Sequence, residues 1–235
     1  MKKGIYILPN SITLCGMFFG FYSIMLSTQG RFTTAAWAII IASVFDALDG
    51  WVARFTNSTS KFGIELDSLS DLVAFGVAPA VMLYQWSLMP FKNLGLAVTF
   101  LFAACGAMRL ARFNIQMGTA ERKSFTGMPI PAGAWICAAT VMCYTDMEWD
   151  HQKSILILVQ TVIVALLMVS TLRFHSLKEI DMKKRKPLWI LVLIVFLFAL
   201  VLMHPEVMLF VLSMLYMLIG LVENSYIYAR DRKSA

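Results

Sequence analysis

Long uncharged, apolar stretches alternate along this chain with short polar connections. A helix needs about 20 mostly apolar residues to cross a bilayer. No charge lies between Lys3 and Arg31, which places a first helix there. A second is expected over 32–54, a third over 62–91 and a fourth over 93–112. A fifth follows Pro129 and Pro131 and ends near Asp146, and a sixth covers 154–172. The stretches 187–203 and 207–228 give a seventh and an eighth, parted by the turn His204-Pro205-Glu206. The pattern predicts an all-α polytopic membrane bundle of about eight transmembrane helices, forming one domain over residues 1–235.

Composition agrees. Hydrophobic residues make up 59% of the chain and charged residues 14%, against about 25% charged in a soluble domain. The mean hydropathy is +0.73. The four cysteines form no CxxC pair and all lie in apolar runs, so they read as small packing residues.

The net charge of +6 acquires meaning from its distribution. With eight spans, 17 lysines and arginines fall at the termini and on the loops of the same side, and only Arg31, Lys92 and Lys153 on the other. Basic residues favour the cytoplasmic side, so both termini are expected there. The basic residues are then topology signals and lipid-headgroup contacts, which excludes a nucleic-acid partner. The run KKRK at 183–186 reads as a cytoplasmic anchor. The start of the chain reads as a retained first helix: its apolar run is too long for a signal peptide, and no A-x-A site follows. Gly16 and Gly20 form a GxxxG pair that admits a closely packed helix. That helix can come from the same chain or from a second subunit, so a homodimer stays open.

Four aspartates break the apolar pattern. Asp46, Asp49, Gly50 and Ala53 share one stripe of the second helix, and Gly63, Asp67 and Asp71 one stripe of the third. A short polar loop joins these helices, so antiparallel packing can turn both stripes inward. Asp46 lies about 12 Å along the axis from Arg54, which puts the cluster just below the cytoplasmic headgroups. An ionised aspartate within a membrane helix costs roughly 2.5–3.5 kcal/mol, and four together also repel. Arg54 and Lys61 do not balance them; divalent metal does. Oxygen ligands suit Mg²⁺ or Mn²⁺, and four carboxylates can hold two ions. Gly50 and Gly63 stand where alanine would favour a helix by about 1 kcal/mol. They and Ala53 leave room for a ligand, and Arg54 suits phosphate oxygens. The residues predict a di-metal phosphate site open to cytoplasm and lipid. A cation channel or transporter would also use acids, but it leaves Gly50, Ala53, Arg54 and Gly63 unexplained.

The stretch Asp46-x-x-Asp49-Gly50-x-x-Ala53-Arg54 followed by Gly63-x-x-x-Asp67-x-x-x-Asp71 resembles the CDP-alcohol phosphotransferase signature at every fixed position. LPNSITL at 8–14, FGVAPA at 75–80, RLARFN at 109–114 and FTGMPIPA at 125–132 resemble one branch of that family, the CDP-diacylglycerol–serine O-phosphatidyltransferases. The resemblance spans about residues 5–135, leaving 136–235 to complete the bundle. It implies CDP-diacylglycerol and L-serine as substrates, phosphatidylserine and CMP as products, and an integral cell-membrane enzyme working at the cytoplasmic face. It implies Asp46, Asp49 and Asp67 as metal ligands and Asp71 as general base near a second metal. Gly50, Ala53, Arg54 and Gly63 would line the CDP site. Serine's carboxylate needs a cation, and Arg112, with Arg109 and Asn114 nearby, is the candidate. Asn10 and Thr13 share a face of the first helix; they contact the donor or cap that helix. Pro79 should kink the third helix, and the loop 115–128 is placed to cover the serine site. Other acceptors, namely glycerol 3-phosphate, an inositol phosphate, or serine on an ether-linked archaeal lipid, keep the same signature.

Overall fold

The computed structural model describes residues 7–56, 60–117, 127–152, 154–172 and 203–231, with side chains in the last segment described to 224. Most of the expected span 187–203 lies outside the described residues. So do Lys2, Lys3, Arg122, Lys123, the basic run at 183–186 and residues 118–126 of the loop 115–128.

Among the described residues the chain forms seven helices and no strand. They are α1 (Ile7–Thr28), α2 (Phe32–Phe55), α3 (Lys61–Phe91), α4 (Asn93–Met117), α5 (Ile130–Asp146), α6 (Ile155–Val169) and α7 (Pro205–Asp231). Helices α1 to α4 and α7 are long and apolar enough to cross a membrane, and α6 is a shorter apolar helix. The chain is an integral membrane protein of helical-bundle architecture. Its exposed positions carry large apolar side chains, among them Phe18, Phe100 and Leu156; on a bundle this apolar they face lipid.

Helix α5 is the centre. Eleven of its 17 residues are buried, and it packs against α2, α3 and α7. Gly133 admits α6: a Cβ there would stand 3.2 Å from Val164 Cγ1 and 3.3 Å from Met168 Sδ. Trp135 Nε1 donates to Ser43 Oγ on α2 at 2.9 Å, and Gln160 Nε2 on α6 donates to Thr140 Oγ1 at 2.6 Å. These bonds satisfy polar groups that lipid could not. Cys105, Cys137 and Cys143 are buried as expected, but Cys15 is exposed on α1.

The GxxxG pair of α1 is used within the chain. A Cβ on Gly20 would stand 2.5 Å from Ala74 Cα of α3, and one on Gly16 would stand 3.5 Å from the Ala42 carbonyl oxygen of α2. Ser70 Oγ donates to the Thr13 carbonyl at 3.1 Å, so α1 grips α3 beside the acidic stripe.

Helix α3 is not uniformly α. Leu72–Val77 forms a wider π-turn, closed by the Ala78 N–H bonding to the Val73 carbonyl. Pro79 has no N–H to give, and the π-turn re-registers the ladder ahead of it. The irregularity expected at Pro79 thus begins directly after Asp71. At the far end of α3, Trp86 stacks on His151 at 4.8 Å and meets Tyr144 edge-on, while Ser87 Oγ donates to the His151 carbonyl.

Candidate active site

One end of the bundle collects the polar residues. Asp46 and Asp49 come from the last turns of α2, and Asp67 from the first turns of α3. One carboxylate oxygen of each lies within 4.8 Å of the others. Oxygens on opposite sides of a Mg²⁺ ion stand about 4.2 Å apart, so the spacing fits a small hard cation. Asp49 is 5% exposed, and its Oδ2 has no hydrogen-bond partner. A buried, unpartnered carboxylate oxygen is costly, and a cation satisfies it. The donor set holds oxygen alone, which selects Mg²⁺ or Mn²⁺ over softer metals. The residues present fit a divalent metal.

Asp71 lies outside that group of three but close to it. The charges of Asp46, Asp67, Arg109 and Asp49 all act on its carboxylate. Glu65 is exposed and is not part of the group of three.

The small residues divide in role. A Cβ on Gly50 would meet only Arg54 Nη2, at 4.0 Å. Open space lies over Gly50, and the Arg54 side chain folds back beside it. Ala53 is half-buried and Arg54 exposed. Gly63 is crowded instead: its Cβ would stand 3.1 Å from Ser60 Oγ and 3.2 Å from Asn10 Oδ1. Ser60 caps α3 by accepting from the Gly63 N–H at 2.9 Å. Gly63 therefore lets Asn10 and the cap approach, rather than opening a gap. Asn10 borders the first turn of α3, and buried Thr13 lies beside Asp49. The Thr13 hydroxyl donates to the Pro9 carbonyl at 3.1 Å.

Helix α4 brings cations. Arg109 is half-buried and within electrostatic reach of Asp71, of Tyr216 on α7 and of Asp46, with its Cζ 5.9 Å from the centre of the Phe113 ring. Asn114 pairs with Ser68 of α3: Asn114 Nδ2 donates to Ser68 Oγ at 3.0 Å, and Ser68 Oγ lies 3.2 Å from Asn114 Oδ1. Arg112 turns elsewhere; its Nη1 donates to the Val169 carbonyl of α6 at 3.0 Å. Tyr216 and Ser68 were not foreseen. Ser68 carries a weak signal, a polar residue between two site acids. Tyr216 carries none, since it sits in a generic apolar helix and only packing brings it to Arg109.

A family model described as CDP-alcohol phosphatidyltransferase matches residues 6–162. Two proteins of Helicobacter pylori, strains 26695 and J99, are named CDP-diacylglycerol–serine O-phosphatidyltransferase. They are 40% and 41% identical to this chain over 221 residues, 93% of this chain and 91% of each relative. An archaetidylserine synthase of Methanothermobacter thermautotrophicus is 35% identical over 169 residues, 71% of this chain and 69% of that protein.

Proposed function

The chain belongs to the CDP-alcohol phosphatidyltransferase family, and from that premise we propose that it joins serine to the phosphatidyl group of CDP-diacylglycerol, giving phosphatidylserine and CMP. The observation that carries this reading is the meeting of the Asp46, Asp49 and Asp67 carboxylates within 4.8 Å, beside the open face of Gly50. The relatives' names supply the serine acceptor.

Asp46, Asp49, Asp67 and Asp71 would hold two Mg²⁺ or Mn²⁺ ions. Bound there, the ions would supply positive charge to neutralise diphosphate and to stabilise the departing CMP phosphate. The protein's own groups do the rest. Gly50 and Ala53 let the CDP moiety approach α2, and Arg54 pairs with a phosphate oxygen. Gly63 lets Asn10 close the donor site from α1, with Thr13 beneath it. Arg109 takes the serine carboxylate, with Asn114 alongside. Asp71 accepts the proton of the serine hydroxyl as that oxygen bonds to the diacylglycerol-linked phosphorus. The bond from that phosphorus to the CMP phosphate breaks, and CMP leaves with its electron pair. The acyl chains stay in lipid. The site works at the cytoplasmic face of the cell membrane, a placement supported by the 17 to 3 asymmetry of basic residues. The aromatic packing of Trp86, Tyr144 and His151 at the other end of α3 favours a one-sided enzyme site over an ion pathway.

The test is purified protein in nanodiscs with CDP-diacylglycerol, its ether-linked archaeal counterpart, labelled serine, and glycerol 3-phosphate or inositol phosphate as competitors. Phosphatidylserine and CMP should form in equal amounts. Asp71→Asn should abolish turnover while part of the nucleotide binding survives. Transfer to a phosphorylated acceptor in preference to serine would replace the acceptor; normal turnover by Asp71→Asn would remove the base.

A further inference from the structure

We propose that Arg112 is a positioning residue: with Gly127 and Met128 it clasps the end of α6 and so sets the height and rotation of the α4 segment that presents Arg109 and Asn114 to the site.

A helix leaves its last four carbonyls without partners. At the end of α6 two of these, on Leu167 and Val169, and two just beyond, on Ser170 and Leu172, are taken up from two directions. Arg112 Nη1 donates to the carbonyls of Val169 at 3.0 Å and Ser170 at 3.5 Å. The Gly127 N–H donates to the Leu172 carbonyl at 2.8 Å, and the Met128 N–H to that of Leu167 at 3.0 Å. A guanidinium at this end also complements the negative pole of the helix dipole. Gly127 has φ +88, and a Cβ on it would stand 2.3 Å from the Met168 carbonyl oxygen. Only glycine satisfies both constraints.

The clasp reaches the site through two rigid links. Arg109 and Arg112 lie about one helical turn apart on α4, and Asn114 follows two residues later. Ile130, fully buried just beyond Met128, sits against Gly106 of α4 and Gly76 of α3: Cβ atoms there would lie 2.6 and 3.7 Å from its Cδ1. The block from Gly127 to Ile130 therefore ties the end of α6 to both helices that carry site residues. Arg112 spends its bonds on backbone, and recognition of the carboxylate falls to Arg109.

This inference rests on the proposed serine transfer. It is tested with Arg112→Ala, Arg112→Lys and Gly127→Ala in nanodiscs, with kcat expressed per molecule competent to bind CMP. Misplacing reacting groups costs up to about a hundredfold in rate. Arg112→Ala and Gly127→Ala should each lower kcat about tenfold or more, with KM for serine within about threefold of the parent. Both should keep the preference for serine over ethanolamine, which lacks the carboxylate. Arg112→Lys should recover most of kcat, because an ammonium also donates to carbonyls. A rise in serine KM of about tenfold or more at unchanged kcat, or loss of the serine preference, would make Arg112 an acceptor contact and overturn the proposal. A second readout needs no turnover. The melting-point shifts of Arg112→Ala and Gly127→Ala should be non-additive in the double variant; additive shifts refute the clasp. A parent protein inactive with serine counts against the function alone, since the melting cycle still decides the clasp.

Discussion

Gly50 and Gly63 carry the same side chain for opposite reasons. Nothing but Arg54 Nη2, at 4.0 Å, would meet a Cβ on Gly50, whereas Ser60 and Asn10 crowd Gly63. Replacing Gly50 by alanine should therefore stabilise α2 by up to about 1 kcal/mol. It should also place a methyl group where the donor approaches. The expected outcome is a melting temperature equal to or above that of the parent, with KM for CDP-diacylglycerol raised about tenfold. Thermal unfolding beside steady-state kinetics checks both, and an unchanged donor KM would show that the donor does not use the open face of α2. The Asp49 Oδ2 atom, buried without a hydrogen bond, shows the same division between fold and function. Its cost is carried by the fold, and the proposed metal site would make use of it.

At the scale of elements, the site exists because α1 holds α2 and α3 together. Gly20 lets α1 and α3 touch at the backbone, with 2.5 Å left for a Cβ against Ala74 Cα. The Ser70 to Thr13 bond lies on the same seam. Gly20→Leu should force the helices apart, cost about 1–3 kcal/mol as overpacking, and separate Asp67 from Asp46 and Asp49. The expected result is a lower melting temperature with activity lost. Ala74→Gly added to Gly20→Leu should restore part of both by returning space to the seam. Failure of that second change to raise the melting temperature would mean that α1 and α3 do not rely on this contact. The π-turn at Leu72–Val77 acts at the same scale: it separates the acidic start of α3 from the apolar remainder and shifts the ladder just ahead of Pro79, with the Ala78 N–H bonded to the Val73 carbonyl.

For the whole molecule, gathering like charges in a membrane protein would couple folding to the proposed ion binding. An ion that binds only the folded state adds stability in proportion to the logarithm of its concentration above the dissociation constant. Melting temperature in detergent should therefore rise with Mg²⁺ or Mn²⁺ and fall back with a chelator, and chelation should abolish turnover reversibly. Asp49→Asn should flatten that dependence, because it removes the carboxylate that, among the described residues, has an unpartnered buried oxygen. A melting temperature insensitive to both ions would remove the metal from the cluster. The bundle class, the first six helices and the two acidic stripes were legible in the sequence. Their causes are local: apolar run length follows from membrane thickness, and which residues share a stripe follows from 3.6 residues per turn. Three features were not legible: the crowding at Gly63, the pairing of Ser68 with Asn114, and the approach of Tyr216 to Arg109. Arg112 also looked like a carboxylate ligand in sequence and bonds backbone carbonyls 57 and 58 residues away. The sequence by itself determined which side chains lie on each helix face. Tertiary packing decided which faces meet, because contact between distant helices depends on the summed fit of the bundle and on no short stretch of chain.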